Sequence, residues 1–82
     1  MLSIGDRVKI GDAKYKSDLC NNLNRGRTGV ITDRRYWLTG AVAYTVRLDE
    51  PYSYLGYQIC EVGYDEIDNA LQKIPLHEQE AK

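Results

Sequence analysis

This sequence predicts an all-β domain, a small and partly open barrel of five strands, and three observations carry that expectation. Apolar and polar residues alternate with a period of two in several short segments, the pattern of a strand with one buried face. Turn-forming residues, chiefly glycines and acidic clusters, separate those segments. The chain has 82 residues, enough for one small core and no second domain. Short twisted strands in that length must bury one face and hide their edges, and a barrel does both.

In I-G-D-R-V-K-I, Ile4, Val8 and Ile10 take even positions and leave Arg7 and Lys9 on the opposite face, so the first strand lies here. The alternation fails over 11–26, which reads as a long loop. It holds at most one short helix, with Asp12 as the expected N-cap and Tyr15, Leu19 and Leu23 spaced four apart. T-G-V-I-T-D supplies the second strand, and R-Y-W-L-T-G an aromatic strand end or hairpin arm closed by Gly40. A-V-A-Y-T-V-R-L-D alternates most clearly, with Val42, Tyr44, Val46 and Leu48 on one face and Ala43, Thr45 and Arg47 on the other.

The acidic D-E-P-Y is expected to turn the chain into a fourth strand, where Leu55, Tyr57 and Ile59 alternate and Gly56 marks a bulge or bend. Over 65–74, Ile67, Ala70, Leu71 and Ile74 fall at helical spacing, with acids early and Lys73 late, a helix signature. A short turn followed by a closing strand is the competing pattern. The domain is thus expected to span 1–74, followed by a polar tail over 75–82 that contains the only histidine, His77.

Hydrophobic residues make up 43% of the chain and charged residues 28%, a balance that suits a folded domain rather than a disordered one. No apolar run approaches the roughly 18 residues of a membrane span, and charge interrupts the start from Asp6 onward. A cytoplasmic protein without a membrane partner is the expectation. Cys20 and Cys60 stand 40 positions apart without a C-x-x-C pairing, which argues for free thiols while leaving one disulfide open. With a single histidine besides, no metal or other cofactor is expected. Nucleophile, phosphate-loop and zinc-protease motifs are lacking, so no enzyme is expected either. Asp65, Glu66 and Asp68 read as solvated or dipole-stabilising acids at a helix start.

Charge divides along the chain: 1–47 carries nine Lys or Arg against four Asp, net +5, and 48–82 two Lys against eight acids, net -6. G-D-R-V-K-I followed by R-G-R-T-G-V-I resembles the KOW motif of SH3-like barrels in ribosomal proteins and transcription elongation factors. Y-T-V-R-L-D fits the strand that would follow, and the segment 11–24 is longer than the connection usual in that family. The resemblance implies an SH3-like barrel and, by analogy, a module that binds RNA or DNA. Gly26 and Gly29 have a plainer role in backbone geometry, a positive φ in the turn and close approach or a bulge as the strand begins.

Two functions compete. Arg25, Arg27, Arg34 and Arg35, with Lys14 and Lys16 upstream, offer guanidinium forks suited to phosphate, and Tyr36 and Trp37 beside them could stack on bases. Against nucleic acid stands a pI of 5.7. The alternative is a protein partner. The chain has seven tyrosines and no phenylalanine, and tyrosine gives large contact area at low entropic cost. Tyr36, Trp37, Tyr52 and Tyr54 are the expected protein-binding set, Tyr44 and Tyr57 the expected core tyrosines. The sequence therefore reads first as a non-enzymatic interaction module, a protein-binding adaptor or inhibitor of a size that phages and mobile elements would carry. The nucleic-acid module is the alternative, and a small homo-oligomer is compatible with either.

Overall fold

Val8 and Ile10 are the buried positions of β1 (Arg7–Ile10), and the alternation that marks them continues through the sheet of the computed structural model, which describes residues 2–75. β2 (Thr28–Tyr36) buries Gly29 and Ile31, and β3 (Val42–Tyr54) buries Val42, Tyr44, Val46 and Leu48. β4 (Tyr57–Asp65) buries Tyr64, and β5 (Leu71–Lys73) follows a single 3-10 turn at Glu66–Asp68. All neighbours pair antiparallel in the order β4-β3-β2-β1-β5. The domain is a small all-β, partly open barrel, with β4 and β5 as the two edges of its sheet.

Two groups of apolar side chains fill it. Val8, Ile31, Val42, Tyr44 and Val46 form one, and Ile10, Ala13, Leu48, Tyr64 and Ala70 the other, with Val62 and Leu71 packed against both. β3 reaches both groups because it bends: four residues, 48–51, face only Cys60 between the pairs Arg47↔Glu61 and Tyr52↔Ile59. Gly29 lies so close to β3 that an added Cβ would collide with the Arg47 carbonyl and sit 2.8 Å from Val46 Cγ1, while Gly26 has φ +85. Both glycines therefore serve the roles their positions suggested.

The long connection after β1 contains α1 (Asp18–Asn24), capped by Ser17, whose hydroxyl accepts from the Cys20 N–H at 3.1 Å. Asp12, the expected cap, instead pairs with Arg25 at 2.7 Å. Buried Asn21 holds the loop to itself, accepting from the Ala13 N–H at 2.8 Å and donating to the Ala13 carbonyl at 3.2 Å. Buried Asp68 ties the same loop to the 3-10 turn by accepting from the Tyr15 N–H at 3.0 Å. Asp68 is thus a structural group, not the solvated acid of the sequence reading.

Other expectations need correction. D-E-P-Y does not turn the chain, since it lies inside β3; the turn falls at Leu55-Gly56, between the paired Tyr54 and Tyr57. Tyr57 leaves the core and is 74% exposed, and Ile4 lies outside β1 and is also exposed. Of the two patterns left open over 65–74, the structure takes the turn and closing strand. Cys20 and Cys60 are free, and no helix among the described residues is long and apolar enough to cross a membrane. Most of the expected tail, His77 included, lies outside the described residues.

Candidate interaction surface

β2 and β3 are joined by a tight tip. The Trp37 N–H donates to the Ala41 carbonyl and the Gly40 N–H to the Trp37 carbonyl, both at 2.9 Å, and Gly40 has φ +89. This is a three-residue hairpin loop closed by a left-handed glycine, a geometry fixed by the backbone itself. It pushes Leu38 fully into solvent, beside Trp37 at 54% and Tyr36 at 59% exposure. Arg34 lies over the Tyr36 ring at 5.4 Å and donates to the Leu2 carbonyl at 3.0 Å, so the N-terminal segment is stitched to the same end of the barrel.

Tyr52 and Tyr54 are placed at the far end of β3 from Tyr36 and Trp37, and the four residues do not share one surface. Tyr52 is half-buried, its hydroxyl donates to Asn24 Oδ1 at 2.7 Å, and the Arg27 guanidinium covers its ring at 3.8 Å. It is a packing residue with its polar end satisfied. Next to it the Tyr64 hydroxyl is buried with no hydrogen-bond partner among the described residues. Burial pushes that hydroxyl up to about 12.

The four candidate arginines are likewise divided. Arg25 and Arg27 precede β2, whereas Arg34 and Arg35 lie near its other end, roughly 23 Å away at about 3.3 Å per strand residue. Arg25 pairs with Asp12, Arg27 donates to the Leu23 carbonyl at 2.7 Å, and Arg35 pairs with Asp33 at 2.9 Å. The Arg35 fork and the Arg34 N–H hold the Asp33 carboxyl below its usual range. Carboxylates thus oppose Arg25 and Arg35, while Arg27 and Arg34 each spend a donor on a backbone carbonyl, a point that sequence spacing alone does not reveal.

A cleft of about 320 Å³ opens where the barrel stays unclosed, between the end of β4 and β5. Leu2, Ala70, Leu71 and the Tyr44 ring form its apolar walls, and Asp65, Glu66 and Lys73 its charged rim. Tyr44 donates to Glu66 Oε2 at 2.9 Å. Burial, and then the Glu66 carboxylate, raise the Tyr44 hydroxyl above its ordinary value, so it stays a donor. Lys73 is drawn toward Asp6, 3.6 Å away. The cleft lies at the same end of the barrel as the hairpin tip, since Asp65 pairs with Ala43, next to the Val42 that faces Tyr36.

Among the described residues no group of three or more His, Cys, Asp or Glu side chains could hold a metal ion. No protein-family model matches the chain, and neither a curated protein nor a solved structure resembles it at a significant level.

Proposed function

We propose that this domain is a non-enzymatic protein-interaction module, an adaptor or inhibitor, that engages its partner through the β2–β3 tip. The observation that carries this reading is the run Tyr36-Trp37-Leu38, three consecutive large apolar side chains held in water by a hairpin loop closed by two backbone hydrogen bonds. An interface gains most from buried aromatic anchors whose position costs little entropy to fix, and a backbone-closed hairpin supplies such anchors. Tyr52 is left out of the surface because it packs on the core and donates to Asn24, and Tyr54 because it lies at the same far end of β3.

The nucleic-acid reading has less behind it. Its arginines are separated along β2, and two of the four are ion-paired with carboxylates of this chain, so phosphate would have to compete for them. The test is a photo-crosslinking residue placed at Leu38 and exposed to extract of the host cell. One discrete protein adduct, lost when Trp37→Ala is added, is the expected result. Labelling that is diffuse and indifferent to Trp37 would remove the tip as a binding surface.

A further inference from the structure

The tip is one part of a larger barrel end, and the cleft beside it has a chemistry of its own. Its volume, about 320 Å³, is at the lower limit of ligand pockets, which run from roughly 300 to 1,000 Å³. That is room for one side chain rather than a cofactor. The walls are aliphatic and aromatic, while the rim carries two carboxylates, Asp65 and Glu66, that have no ion pair among the described residues. Glu66 spends one oxygen on the Tyr44 hydroxyl and leaves the other open. Lys73 is the one cation of the lining, and Asp6 offsets it.

An apolar slot with an unpaired acidic rim complements one kind of side chain, a long alkyl stem ending in a cation. We infer that the cleft receives a lysine or arginine side chain of the protein partner, its methylenes against Leu2, Leu71 and the Tyr44 ring and its charge between Asp65 and Glu66. This deepens the protein-binding reading and rests on it: the partner presents a basic residue close to the apolar patch that meets Trp37 and Leu38. Arg34 lies outside the lining, and its guanidinium donates to the carbonyl of Leu2, a lining residue.

The test is a nitrogen-proton NMR titration of the full chain with three blocked amino acids, the methylamides of N-acetyl-lysine, N-acetyl-arginine and N-acetyl-norleucine. Lysine or arginine should give saturable shifts confined to residues such as Tyr44, Glu66, Ala70 and Leu71. Norleucine, with a similar stem and no charge, should bind about tenfold more weakly, as expected for loss of a charge-assisted hydrogen bond. The Asp65→Asn, Glu66→Gln double variant, which keeps an acceptor for the Tyr44 hydroxyl, should lose the preference for the cation. Absent shifts, shifts elsewhere on the barrel, or equal response to lysine and norleucine would each overturn the inference. A Trp37→Ala, Leu38→Ser variant should keep the full lysine response while losing the crosslinked adduct. Failure of the cleft is thereby told apart from failure of the tip.

Discussion

Asp49 is the residue whose ionisation the fold uses most directly. It accepts from Arg7 through both oxygens, at 3.1 and 2.5 Å, and from the Thr28 hydroxyl at 2.6 Å. The Arg7 fork first, and Thr28 after it, hold its carboxyl below the ordinary value of 3.8. A depressed carboxyl contributes stability that is present above that ordinary value and lost as pH falls through the lower folded value. Asp49→Asn is therefore expected to cost roughly 1 kcal/mol or less at neutral pH, since the pair is one-third exposed, and to flatten the loss of stability below about pH 4. Urea unfolding at neutral and acid pH measures both, and an unchanged acid slope would mean the pair does not contribute. At this scale legibility was uneven. Gly26 and Gly29 declared themselves because only backbone geometry explains such placements. Asp68 and Asn21 did not, because their partners are backbone amides, of Tyr15 and Ala13, that a one-dimensional reading cannot bring near.

Among the elements, the β3–β4 hairpin is the least relaxed. Leu55 and Gly56 have φ of 51 and 83, the left-handed pair that a two-residue hairpin turn demands, and leucine is a poor occupant of the first position. Leu55 is also 78% exposed and so gains little from packing. Replacing it with asparagine, which tolerates that conformation, should stabilise the domain by about 1 kcal/mol in chemical denaturation; a neutral or destabilising result would place a packing role on Leu55. The same hairpin explains an error of the sequence reading. D-E-P-Y has the composition of a turn, yet Pro51 is tolerated in β3 because it sits in the bend where four residues face Cys60 and no regular ladder bond is required of it. With the turn displaced toward Tyr54, the alternation through Leu55, Tyr57 and Ile59 loses its meaning, and Tyr57 emerges in solvent. β1, β2 and the first half of β3 were legible because each has one wet and one dry face. Residues 65–74 left helix and closing strand undecided, because a 3-10 turn followed by a three-residue strand mimics helical spacing.

For the whole molecule, the two oppositely charged halves of the sequence meet across the sheet. Arg7 reaches Asp49 and Arg47 approaches Glu61, each pair joining the basic half to the acidic half across the sheet. Such pairs offset part of the basic half's charge, and the surface that stands out is the apolar tip beside the acidic cleft. The fold was thus largely legible and the site only in part: Tyr36 and Trp37 were visible as a pair, whereas the cleft is assembled from Leu2, Tyr44 and the segment 65–73, which no spacing connects. The contrast between protein and nucleic-acid binding is tested most directly by fluorescence anisotropy of labelled single-stranded RNA and duplex DNA at about 50 and 200 mM salt, with wild type and an Arg25→Ala, Arg27→Ala variant. A protein-binding module predicts no salt-sensitive association with either nucleic acid. Binding at low salt that weakens steeply at high salt and disappears in the double variant would contradict it and make the loop before β2 a phosphate-contacting site.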